Sequence, residues 1–211
     1  MKTLRLGKTI SYRDSKRLVV IDAQNDFCLP QKGCAYYDRA SMEQHKDDLQ
    51  PISEALKAIK RLLTQSAKHK INVVALQSSY LANQFSDEAP MNRLAIKSSF
   101  GWQLAVKLPS GSDIVEKFEH DGSDNLISAF PKISNFVLCG FTTDNCVMAT
   151  AEGLLKKGLD VTIVSDCAAT AAYKYKECHQ SSLDRLEVSG AHIIKSDDFL
   201  LDLDKQSKLK S

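Results

Sequence analysis

FVLCGFTTDNCVMATAEGLLKKGLDVTIVSD, residues 136–166, contains a whole strand, helix and strand in order. Asn135 opens NFVLCG, an apolar run that ends at a glycine and suits a strand buried on both faces. Val147, Ala151 and Leu154 then recur at spacings of four and three, the stripe of an amphipathic helix, and Gly158 supplies a stop. DVTIVSD at 160–166 returns to a strand.

The same alternation extends outward. RLVVID at 17–22 is rich in β-branched residues and stops abruptly at Asp22, and INVVALQ at 71–77 has the same character. Between them Pro51 opens a helix at its first position, with Ile52, Leu56, Ile59, Leu62 and Leu63 on one face and an end near Ser66. IVEKF at 114–118 is a short third strand, KECHQSSLDRLEVSG at 176–190 a final helix through Cys178, Leu183 and Leu186, and AHIIK a last short strand. The stretches 23–50 and 78–112 hold no sustained period and read as long loops, the first partly covering a site or packing on a neighbour. Buried strands alternating with amphipathic helices predict a mostly parallel sheet covered on both faces, with a site at the carboxyl ends of its strands. Asp22, Lys117, Gly140 and Asp166 fall at or just beyond such ends.

Composition agrees and excludes alternatives. With 211 residues, 43% of them hydrophobic, the chain can bury roughly 70% of its unfolded surface in one domain over 1–211, with 1–14 and 201–211 peripheral. Its 28 basic and 26 acidic side chains are interspersed and leave a net charge of +2, which argues against a nucleic-acid or polybasic membrane partner. No apolar run approaches the ~20 residues of a membrane helix. The opening MKTLRLGKTISYRDSKR lacks the apolar core of a secretory signal, so the six cysteines are expected as thiols in the cytoplasm.

Among those thiols Cys146 stands out. It lies in GFTTDNCV, directly after a strand and in the first turn of a helix that Thr143 or Asp144 could cap, where unsatisfied N–H groups and the helix dipole favour thiolate. The pattern alone fits a small buried hydrophobe equally well. Cys139 and Cys167 read as core, while Cys28 and Cys34 sit in the long loop. Asp22 and Lys117, at the ends of buried strands, each carry a charge that is costly unless answered. Brought beside Cys146, they would answer one another and leave the thiol a proton acceptor; as a turn residue and a surface charge they would mean little.

LVVIDAQNDF, the isolated VEK, and FVLCGFTTDNCVMATAEGLLKKGLDVTIVSDCAA, with His179 downstream, resemble the isochorismatase-like cysteine hydrolases, a family that includes nicotinamidases, N-carbamoylsarcosine amidase, biuret and ureidoacrylate hydrolases and isochorismatases. The likeness covers about residues 15–195, and D-x-Q-x-D-F and GxxTDxCV are its specific elements. It implies a doubly wound α/β three-layer sandwich with a six-stranded, mainly parallel sheet, assembled as a homodimer or homotetramer. Asp22 matches the family's general base, Lys117 its partner lysine and Cys146 the nucleophile. A cis peptide is implied between Phe141 and Thr142, with the N–H groups of Thr142 and Cys146 forming the oxyanion hole.

The implied chemistry is hydrolysis of a C–N bond in a small linear amide, carbamoyl or ureido substrate. Asp22 takes the thiol proton, Cys146 attacks the carbonyl, and a thioester forms that water, activated by Asp22, resolves. Nicotinamidases hold a metal through an Asp-x-His pair after the second strand; here Ser78 and Tyr80 stand near those positions, and none of the five histidines pairs at a metal-binding spacing, so neither metal nor cofactor is expected. His179 is expected in a hydrogen-bonded structural role. Phe27, Phe100, Tyr80 and Trp102 are candidate pocket walls, and His120, Asp121 and Asp124 fall where the family places substrate-covering residues. The competing readings are a non-catalytic member kept as an interaction scaffold and a vinyl ether hydrolase of the isochorismatase type.

Overall fold

The structure, a computed structural model, describes residues 15–43, 45, 49–170 and 175–208. Its six strands are β1 (Lys16–Ile21), β2 (Val73–Ser78), β3 (Asp113–Lys117), β4 (Asn135–Phe141), β5 (Asp160–Ala169) and β6 (His192–Ile194). They form one sheet in the order β3-β2-β1-β4-β5-β6, and every neighbouring pair is parallel.

Alternation along the strands divides the interior into two cores. Leu18 and Val20 of β1 point into one, with Val137, Cys139 and Phe141 of β4; Val19 and Ile21 point into the other, with Phe136 and Leu138. The first core lies under α3 (Gln50–Lys68), which contributes Ile52, Leu56, Ile59, Leu62 and Leu63. The second lies under α5 (Met148–Lys156) and α6 (Tyr175–Val188), through Ala151, Leu154, Leu183 and Leu186. A sheet with helices on both faces is the three-layer sandwich the sequence implied.

Four helices lie outside the sequence reading. α1 (Asn25–Cys28) is a single turn, α2 (Ala35–Met42) buries only Ala35 and Ala40, and α4 (Ser123–Ala129) buries only Ser123 and Leu126, so none shows an apolar period. α7 (Ser196–Lys208) covers the stretch expected at the periphery, yet packs Phe199 and Leu203, four residues apart, into the first core. The expectation for 1–14 lies outside the described residues. Asp166 does not end its strand: β5 runs on to Ala169, and the carboxylate turns to α7, accepting hydrogen bonds from Ser196 N and Oγ at 2.7 and 2.6 Å. No helix among the described residues is long and apolar enough to cross a membrane.

Gly140 is what lets β4 close against β1. It pairs with Ile21 at a φ of +121°, and a Cβ there would stand 1.9 Å from the Ile21 carbonyl oxygen. Relief would require separating the two central strands. Gly140→Ala is therefore expected to cost more than about 4 kcal/mol, whereas Gly158→Ala, with a φ of +73° and open space around it, should lose only about 1–2 kcal/mol to backbone strain. Chemical denaturation of both variants checks the contrast; equal losses would overturn it.

Candidate active site

In this strand order the chain runs outward from β1 to β3 and then returns to lay β4 on the other side of β1. The crevice beyond the carboxyl ends of β1 and β4 is where such sheets bind ligands. Asp22 follows β1 directly, its N–H donating to Leu76 O at 2.9 Å, and it adopts a φ of +49°, a left-handed conformation that aspartate tolerates better than most residues. Lys117 ends β3 and pairs in register with Ser78, the last residue of β2. Cys146 comes from the other side, in a π-helical turn, Thr143–Val147, between β4 and α5.

These residues meet in a space closed to water. Asp22 and Lys117 are both fully buried, with Lys117 Nζ 3.0 Å from Asp22 Oδ2. The ammonium's three protons have other acceptors: Ser78 Oγ at 2.7 Å, Glu119 O at 3.0 Å and Tyr80 OH at 3.1 Å. Asp22 Oδ1 accepts from Ser78 N at 2.9 Å, and Oδ2 faces the ammonium. The Cys146 thiol interacts with this carboxylate and lies 3.6 Å from both Tyr80 OH and His120 Nδ1. Because the Tyr80 oxygen receives a lysine proton, its own hydrogen is available to the sulfur.

The electrostatics correct one expectation. Burial, followed by the Asp22 carboxylate, pushes the Cys146 thiol up to about 12 against an opposing pull from Lys117. The resting sulfur is a neutral thiol beside a proton acceptor, not the thiolate that a helix terminus would favour, since the loss of hydration outweighs the dipole. The expected capping by Thr143 or Asp144 is also absent; Thr142 precedes the turn and its carbonyl receives N–H groups of Asn145 and Val147, both at 3.1 Å. Burial lowers Lys117, but Asp22 and the Cys146 sulfur more than offset it and hold the ammonium above its ordinary value.

The surroundings are fixed by hydrogen bonds. Gln24 spans the gap between β2 and the following excursion, its Nε2 donating to Ser78 O and Trp102 O at 3.0 and 2.8 Å and its Oε1 accepting from Ser78 N. Asp26 accepts from Ala35 N and Ala95 N at 2.9 and 2.8 Å and so ties α2 to the same excursion. His179 Nδ1 meets Thr143 Oγ1 at 2.9 Å, securing the cysteine turn to α6. The peptide between Phe141 and Thr142 is cis.

Of the candidate pocket residues, Tyr80 and His120 reach the sulfur. Phe27 instead packs in the first core, edge-on to Tyr36, and Trp102 is pinned by its Nε1 bond to Ser79 Oγ at 2.8 Å. Sequence reading missed Phe85, which stacks on His120 with ring centres 4.4 Å apart and meets Tyr80 edge-on at 4.6 Å, because it lies in a stretch without period. Ser78, read in the sequence only against a metal-ligand position, bonds both charged groups, because it ends β2 opposite Lys117 in a register that the sequence does not reveal. Asp121 accepts from Ser123 N at 2.7 Å, and Asp124 pairs with Lys157 on the surface. Ser78 and Tyr80, which stand near the family's metal-binding positions, both answer Lys117 instead.

Residues 16–198 match the family model described as "Isochorismatase domain". The chain is 35% identical over 77 residues to "Isochorismatase domain-containing protein 2" of Xenopus laevis, a stretch that is 36% of each protein, so the match spans about a third of that relative's length. It superposes on a cysteine hydrolase from Pseudomonas syringae pv. phaseolicola with a TM-score of 0.73 at 16% identity, covering 97% of this chain and all of the other. A pyrazinamidase of Pyrococcus horikoshii, solved in complex with zinc, gives a TM-score of 0.66 at 18% identity, covering 86% of this chain and 99% of that one. At these identities the likeness is one of fold.

Two outcomes follow from the buried charges. Lys117→Met strands the Asp22 carboxylate without its counter-charge and is expected to destabilise by about 3–5 kcal/mol, whereas adding Asp22→Asn restores much of the loss; urea unfolding of both variants checks this. The native state also keeps the Cys146 proton to about 12 where an ordinary thiol loses it near 9.0. The unfolded state therefore binds fewer protons above pH 9, and stability falls as pH rises from there toward 12. Thermal midpoints across that range should decline less steeply in Cys146→Ala; parallel curves would refute the shift.

Proposed function

Because the chain belongs to the isochorismatase-domain family, we propose that it is a cysteine-dependent hydrolase that cleaves the C–N bond of a small linear amide, carbamoyl or ureido compound through a thioester acyl-enzyme. The observation that carries this reading is the fully buried Asp22–Lys117 pair at 3.0 Å, whose carboxylate interacts with the Cys146 thiol.

In acylation Asp22 takes the Cys146 proton as the sulfur attacks the carbonyl carbon. The substrate oxygen becomes an oxyanion, received by the N–H groups of Thr142 and Cys146. The C–N bond then breaks, and the proton held by Asp22 passes to the departing nitrogen, leaving the acyl group on sulfur. Lys117 supplies the counter-charge to Asp22 and need not surrender a proton, since Ser78, Tyr80 and Glu119 also hold its ammonium. Tyr80 adds a donor to the sulfur as negative charge forms there. Water finally releases the acid. The arrangement supplies a nucleophile rather than a strong acid, which favours amide cleavage over protonation of a vinyl ether.

Ammonia release from a panel of simple amides, carbamoyl amino acids and ureas tests the reading. At least one class is expected to turn over, and Cys146→Ala, with an unchanged circular dichroism spectrum, should lose at least about a thousandfold in rate. Wild-type rates in that variant would overturn the mechanism.

A further inference from the structure

Two groups touch the Cys146 sulfur from outside the Asp22–Lys117 pair, and one of them, His120, has no part in acylation as derived above. Of the residues around the sulfur it is also the one that reaches solvent: Asp22 and Lys117 have no exposed surface, and Cys146 and Tyr80 are 2% and 3% exposed, whereas His120 is half-buried. A water reaching a thioester on Cys146 from that side would meet the imidazole first.

We propose that His120, in place of the Asp22 that the family resemblance implies, is the general base of deacylation, taking a proton from the attacking water at Nδ1 and returning it to the Cys146 sulfur. The proposal rests on the acyl-enzyme reading above and divides the proton traffic between two groups. On the inner side Asp22 serves the thiol and the leaving nitrogen; on the outer side His120 serves the water. The step balances: water oxygen bonds to the thioester carbon, its proton moves to Nδ1, the C–S bond breaks with its electron pair passing to sulfur, and the Nδ1 proton follows to restore the thiol. The products are a carboxylic acid and the resting enzyme, with Asp22 ionised throughout.

Geometry supports it. Nδ1 lies 3.6 Å from Sγ, one bond short of where the thioester carbon would stand, within reach of a water poised against that carbon. The ring is fixed in that position by stacking on Phe85 at an interplanar angle of 26° and by the edge of Tyr80 at 75°. Its loop is tethered one residue back, where Glu119 O receives a proton of Lys117. The groups acting on the imidazole are Lys117 from β3, Asp22 from β1, Glu119 beside it, Cys146 and Tyr80. Burial and then Lys117 draw it below its ordinary 6.5, against Asp22 and Glu119, so it is neutral and able to accept a proton at neutral pH.

The test uses p-nitrophenyl acetate, an activated ester that acylates thiols whatever the natural substrate. In wild type the acetyl group is expected on Cys146, located by peptide mass mapping, with a burst of nitrophenolate followed by steady turnover. His120→Phe, which keeps a ring against Phe85 but no nitrogen, should give a burst of similar rate, a steady state slower by about a hundredfold and accumulation of the acetyl-enzyme. Hydroxylamine, a nucleophile that needs little help from a base, should restore its turnover. Unchanged deacylation in that variant, or burst and steady state slowed equally, would overturn the proposal while leaving the acyl-enzyme reading intact. Absence of any acetyl-Cys146 in wild type would bring down the acyl-enzyme reading and this proposal together. Should His120→Phe not fold, wild-type deacylation decides by its pH profile: a rate that falls with acidity, with its midpoint below the ordinary histidine value, is expected, and a profile that stays flat to the acid limit of folding refutes the assignment.

Discussion

An ion pair without water sets the terms for the carboxyl edge of this sheet. Removing Asp22 and Lys117 from solvent costs several kcal/mol for each, and their attraction at 3.0 Å offsets that only when the remaining polar atoms are satisfied. Ser78 supplies its N–H to the acid and its hydroxyl to the base, while Tyr80 and Glu119 take the other two ammonium protons. Those partners come into reach only if β1, β2 and β3 pair in one register, so placing the charges and aligning the strands are a single requirement.

Most strands and the helices α3, α5 and α6 are legible because burial imposes a period on them. β1, β2, β4 and β5 read as continuous apolar runs since both their faces are covered, and α3 and α5 show one stripe each. α2 and α4 were not legible for the converse reason, burying two residues apiece. The triad of Asp22, Lys117 and Cys146 could be named as three strand-end or helix-start residues, but their meeting depends on strand order, which no local pattern encodes. The helix terminus behind Cys146 is legible in a sequence, but the loss of water that pushes its thiol up is not.

The D-x-Q-x-D-F element illustrates how a motif compresses several structural duties. Asp22 belongs to the charge pair, Gln24 bolts the end of β2 to the backbone of Trp102, and Asp26 holds α2 against the excursion that carries Tyr80 and Phe85. Gly101 reaches that last joint closely enough that a Cβ would stand 2.1 Å from the Asp26 carboxyl, so the excursion is seated on the acid with no room between. A stretch of more than thirty residues without repeating secondary structure thereby acquires a fixed position over the sulfur.

Two opposite charges 3.0 Å apart look, from any greater distance, like a dipole whose potential fades with the square of separation. Atoms at the sulfur feel the acid and the base individually, whereas a molecule approaching from bulk solvent feels almost no net charge from them. The pair therefore acts on its immediate neighbours and contributes little to long-range capture. Encounter is left to ordinary diffusion and to what Phe85 and His120 offer at close quarters, a division of labour suited to substrates that carry no charge for a distant field to pull on.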